Sequence, residues 1–162
     1  MITNQGAPST PDNTYFNQPT DKAALQTAVD LWISDNPTAV ATYGDINTWN
    51  TSLITDMSEL FKGETTFNAN IGDWNTAAVT NMYNMFNSAG AFNRDIENWT
   101  TTAVTDMSYM FRIASAFNKN IGSWNTAAVT NMDGMFRGAH AFDQDIGAWI
   151  TSSVTIMKQM FY

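Results

Sequence analysis

The sequence predicts a right-handed α/β solenoid behind an N-terminal capping helix. Two observations carry that reading. The residues "WNTAAVTNM" at Trp74 to Met82 recur letter for letter at Trp124 to Met132. Sliding the chain against itself then gives a period of 25 residues, half that spacing, with units starting at Ile46, Ile71, Ile96, Ile121 and Ile146. A fixed period of this size marks units that bury their apolar side chains only by stacking on one another.

Composition narrows the class. The 162 residues suffice for one folded domain, and six Trp, ten Phe and ten Met supply much of its apolar mass. No apolar run approaches the roughly eighteen residues needed to span a bilayer, so no membrane insertion is expected. Without cysteine there is no disulfide framework. The formal charge of −8 argues against nucleic acid and anionic lipid, and points to neutral, basic or cationic partners.

The organisation reads in three parts. Residues 1–19 are a flexible polar leader with neither the basic nor the apolar region of a signal peptide. Residues 20–45 hold a capping helix and a lead-in. Thr20 stands where an N-cap belongs, Leu25, Val29, Trp32 and Ile33 share one helical face, and Pro37 marks the end. Residues 46–162 are four full repeats and one partial repeat.

Within the repeats the apolar columns are directly visible. Trp49, Trp74, Trp99, Trp124 and Trp149 form one, Met57 to Met157 a second, Phe61 to Phe161 a third, and Phe67, Phe92, Phe117 and Phe142 a fourth. Met82, Met85, Phe86 and Ala89 follow the spacing of one face of a short helix, with Thr80 and its equivalents Thr55, Thr105, Thr130 and Thr155 at the N-cap. "RDIENWTT" at Arg94 to Thr101 reads as a very short strand. Parallel pairing of such strands at roughly 4.8 Å would give a body about 24 Å tall.

The last unit stops at "MKQMFY" and leaves Met160, Phe161 and Tyr162 at its end. Two readings stand for it: the chain is a piece of a longer array, or this end contacts another copy as a homo-oligomer.

The unit "FNRDIENWTTTAVTDMSYMF" at Phe92 to Phe111 resembles the 25-residue repeat of the BspA-like surface proteins, FNxDIxxWxTxxVTxMxxMF. The likeness runs from Ile46 to Tyr162. It implies a leucine-rich-repeat-like solenoid, an extracellular or cell-surface location, and adhesion or binding of a protein or glycan on a surface. It implies no catalytic residues.

The chemistry-bearing residues agree with a non-enzyme. The only histidine, His140, lies in the variable tract "GAHAF", and no nucleophile elbow, P-loop or zinc-protease motif is present. No cofactor is expected. Calcium is the one metal worth weighing, because Asn68, Asn93, Asn118 and Asp143 form one oxygen column and Asn70, Asp95, Asn120 and Asp145 another. The competing reading makes these side chains a ladder that satisfies turn backbone.

Thr51, Thr76, Thr101, Thr126 and Thr151 form a regular column that, if exposed, could face ice. An ice-binding solenoid is therefore one alternative function, and a structural self-assembling array another. The leading expectation is a binding module. If a partner binds laterally, its place is at positions that vary between units, namely Tyr83, Tyr109, Arg112 and Arg137, with Asn50, Asn75, Thr100 and Asn125 as outward strand positions; the competing reading makes this a solvated, unconstrained face. Asn84, Ser108, Asp133 and Gly134, and Lys62 and Asn87 in the column of Arg112, vary in the same way.

Overall fold

The computed structural model describes residues 17–162, so most of the expected leader lies outside them. Helix α1 spans Lys22–Ser34 and helix α2 Asn36–Tyr43, followed by a single 3-10 turn at Ile46–Thr48. Asp21, rather than Thr20, caps α1 by accepting the Ala24 amide at 2.9 Å. Leu25, Ala28 and Val29 are fully buried, Trp32 packs partly buried on the core, and Ile33 turns outward.

Helix α2 was not expected. Pro37 begins it rather than ending its predecessor: in a first turn the missing N–H removes no internal bond, and the fixed φ is already helical. Asp35 joins the two helices. Its amide donates to Leu31 at the end of α1, and its carboxylate accepts the Thr38 amide at the start of α2.

The α/β solenoid with parallel strands and short helices is overturned. Among the described residues there is no strand and no helix beyond Thr48; residues 49–162 are turns and extended coil. Among the described residues the only strand-like pairing between units is a series of isolated parallel bridges, at Asp56, Asn81, Asp106, Asn131 and Ile156.

The physical reasons are local. In the segment read as a helix, the amides of Met82, Asn84, Phe86 and Ser88 donate to Asp106, Ser108, Met110 and Arg112 of the next unit at 2.7–3.0 Å. The intervening amides of Met85, Asn87 and Ala89 close turns onto residues three positions back, at 3.0–3.2 Å. Asn84 and Ser88 hold positive φ, which a right-handed helix cannot accommodate. Overlapping turns thus bury the same four side chains that a helix face would have buried.

With no helix to cap, Thr80 does something else. Its amide and hydroxyl both donate to the Thr55 carbonyl of the preceding unit, at 2.8 and 3.2 Å.

The segment read as a strand is also a turn, because Asp95 accepts the Glu97 amide and the Trp99 amide donates to Ile96. Side chains, not backbone, tie this half of each unit to its neighbours. The Trp99 indole donates to Ile71 of the preceding unit at 3.1 Å, and the Thr101 hydroxyl to Asn125 of the following unit at 2.9 Å. Trp74, Trp124 and Trp149 and Thr51, Thr76 and Thr126 repeat both bonds.

Aromatic columns run through the core. Phe61, Phe86, Phe111, Phe136 and Phe161 stack with centroids 5.4–5.8 Å apart, and Phe67, Phe92, Phe117 and Phe142 at 5.9 Å. Within a unit the two phenylalanines lie 4.0–4.1 Å apart. At the top of the stack Trp49 meets Trp32 edge-on at 6.0 Å and Tyr43 at 5.7 Å. Lys22 of α1 reaches the Asp56 carboxylate at 3.4 Å and also bonds the Ser58 hydroxyl, fixing the helix to the first unit.

Candidate functional site

The overlapping turns carry the most promising surface. Because their inward side chains are occupied in the core, the residues between them project along one side of the stack. There Lys62, Tyr83, Asn84, Asn87, Tyr109, Arg112 and Arg137 line an open groove of about 410 Å³. Of the variable positions, Tyr83, Asn84, Tyr109, Lys62, Asn87, Arg112 and Arg137 thus lie together, whereas Ser108, Asp133 and Gly134 do not line the groove.

The groove has an ordered floor. The Asn87 amide donates to Asn84 at 2.7 Å, and the Asn84 amide donates to Glu59 at 3.3 Å. Both asparagines are buried. Lys62 pairs with Glu59 at 2.6 Å; that bond holds the Glu59 carboxyl below its ordinary range and raises the Lys62 ammonium. Tyr83 and Tyr109 meet edge to face at 6.3 Å.

Tyr109 donates its hydroxyl to Asp133 of the next unit at 2.5 Å, a bond that, with some burial, raises the phenol's pKa. Its ring crosses Gly134, where a side-chain carbon would stand 2.5 Å from Cε1. Arg137 lies over the Tyr162 ring, 5.4 Å from its centroid. Among the described residues no carboxylate pairs with Arg112 or Arg137.

Asn50, Asn75, Thr100 and Asn125 do not join this groove. All four are exposed, but Asn50, Asn75 and Asn125 use their side-chain oxygens to accept amides two residues on. The ice-facing column is corrected as well. Thr51, Thr76, Thr101 and Thr126 are buried with their hydroxyls donating to the next unit, and of the five only Thr151 is exposed.

Both oxygen columns hold backbone. Asn68, Asn93 and Asn118 accept the amides of Asn93, Asn118 and Asp143 in the following units. Asn70, Asp95, Asn120 and Asp145 close turns on the amides two residues ahead. Among the described residues no cluster of His, Cys, Asp and Glu is arranged to hold a metal ion. His140 is exposed beside Phe142 and Phe161. Met160 is buried, while Phe161 and Tyr162 are 65% and 79% exposed.

Sequence reasoning missed the backbone that aims these side chains. Glu59, Asn84, Tyr109, Gly134 and Gln159 occupy one position of the unit, and all have positive φ. The signal was present in Gly63 and Gly138, which recur four residues further on where the same conformation is needed.

Among the described residues no helix is long and apolar enough to cross a membrane. No curated protein and no solved structure matches the chain. A family profile does match, over residues 33–126 and again over 95–162, which overlap and together run from the end of α1 through the last unit. By its fixed spacing of core residues and by this match, the chain belongs to the repeat family described as Mycoplasma protein of unknown function, DUF285.

Proposed function

We propose that the chain is a non-enzymatic binding module, displayed on a cell surface or secreted, that holds a protein or glycan partner against its lateral groove. One observation carries this reading: Lys62, Asn87, Arg112 and Arg137, one column that changes from unit to unit, line a single groove with Tyr83, Asn84 and Tyr109, while the core columns behind them stay constant. A surface that varies over a constant frame is how repeat proteins build recognition faces. The likeness of "FNRDIENWTTTAVTDMSYMF" to the BspA-like surface repeat supports the location and the adhesive role.

The test is retention of the purified chain on arrays of glycans and immobilised extracellular-matrix proteins. The expected result is retention that falls when Tyr83 and Tyr109 are changed to Ala and persists when Asn75 and Asn125 are changed to Ala. No retention on any such surface, or retention unaffected by the tyrosine changes, would refute the module reading.

A further inference from the structure

We infer that the groove recognises an anionic saccharide, with Arg112 and Arg137 pairing its acid groups and Tyr83 and Tyr109 packing against its rings. The inference rests on the binding-module reading and adds the chemical class of the ligand. It also reverses the expectation of a neutral or cationic partner drawn from the net charge of −8. That figure averages over the whole surface, whereas a ligand meets the local field.

Three of the seven Lys and Arg residues line this one groove. Of the acids beside the groove, Glu59 is paired with Lys62, and Asp133 keeps its charge while accepting the Tyr109 hydroxyl, so Arg112 and Arg137 are the cations left for a ligand. Arg112 and Arg137 occupy the same position in consecutive units, and adjacent units are bonded to each other through the Ile113 amide and the Arg137 carbonyl at 2.8 Å. Two guanidinium groups are therefore presented one rung apart, each able to take a carboxylate or sulfate with two parallel hydrogen bonds.

The choice between saccharide and acidic peptide follows from the backbone. A peptide commonly gains affinity by pairing its main chain with an open edge, but the amides around the groove already donate along the stack or close turns. What the groove does offer is two phenol rings and two guanidinium groups that no carboxylate pairs among the described residues. Those groups suit a ligand with flat C–H faces and charged substituents.

Calorimetric titration with a hexagalacturonate and with a heparin-derived hexasaccharide tests this. Binding of either is expected, with Kd raised about tenfold or more in the Arg112→Gln/Arg137→Gln protein. The Arg94→Gln/Lys119→Gln control, which removes two cations outside the groove, should leave Kd unchanged. Failure of both saccharides to bind, or equal weakening by the two double variants, would overturn the inference. Tighter binding of hexaglutamate than of either saccharide would overturn it in favour of an acidic peptide. If the Arg112→Gln/Arg137→Gln protein is still retained on the surfaces that retain the wild type, the saccharide inference falls while the module reading stands; if the wild type is retained nowhere, both fall.

Discussion

The phenol ring of Tyr109 lies across Gly134, so that a side-chain carbon at residue 134 would stand 2.5 Å from Cε1 and 2.6 Å from Cδ1. Gly134→Ala should therefore displace the Tyr109 ring and break its bond to Asp133. Alanine at this φ of +55 also adds about 1 kcal/mol of backbone cost. Thermal melting should show a modest loss, and the Tyr109 phenol should titrate at lower pH than in the wild type. An unchanged phenol titration would mean that the ring is placed by something other than the glycine.

Ile113 is a β-branched residue at φ +57, in the column where Gly63 and Gly138 stand, and its side chain is 44% exposed. Such a conformation costs on the order of 1–3 kcal/mol in a non-glycine residue. Ile113→Gly should raise the denaturation midpoint, an unusual sign for a change that removes an isoleucine. Chemical denaturation of the two proteins side by side reads it directly.

Thr101 is buried and its hydroxyl donates to the Asn125 carbonyl at 2.9 Å, with no second donor to that oxygen among the described residues. Thr101→Val keeps the shape and strands that carbonyl, with an expected loss of about 1–3 kcal/mol. Thr151→Val, at the exposed equivalent, should fall within about 0.5 kcal/mol of the wild type. Equal effects at the two positions would refute the ladder role.

Phe111 is fully buried between Phe86 and Phe136, whereas Phe161 stacks on one side only and is 65% exposed. Phe111→Ala should cost about 3–5 kcal/mol. Phe161→Ala should cost no more than about 1 kcal/mol. Urea midpoints of the two variants make the comparison.

Burial alone would raise the Asp56 carboxyl, but the Ser58 amide and hydroxyl and the Lys22 ammonium outweigh it and hold the group below its ordinary value of 3.8. The folded state therefore releases this proton at lower pH than the unfolded chain does. The resulting stabilisation is complete above the ordinary carboxylate range and is lost as pH falls through the folded value. Since both partners are 38% exposed, the effect is small and screened by salt. The melting-temperature gap between wild type and Asp56→Asn should be open at neutral pH and closed in strong acid.

The apolar columns and the capping helix were legible in the sequence because burial repeats every unit, and Trp99, Met107 and Phe111 announce it whatever the backbone does. The backbone was not legible. Overlapping turns place Met82, Met85, Phe86 and Ala89 inside just as a helix would, so the spacing alone does not separate the two. Pro37 was misread because the same residue ends one helix pattern and starts another. Of the expected face, Tyr83, Tyr109, Arg112 and Arg137 converge because all four belong to the turn segment. Asn50, Asn75, Thr100 and Asn125 lie in the segment stitched by Trp and Thr side chains.

The left-handed position shared by Glu59, Asn84, Tyr109, Gly134 and Gln159 has a wider meaning. At Glu59, Asn84, Tyr109 and Gly134 an acid, an amide, a phenol and a glycine occupy it with the same two bonds, an amide donating to the next unit and a carbonyl accepting from three residues on. The outward side chain of a rung can therefore change in kind while the bonds between units are kept. Duplication of units, followed by drift at these positions, would give descendants that share a scaffold and differ in the surface they present.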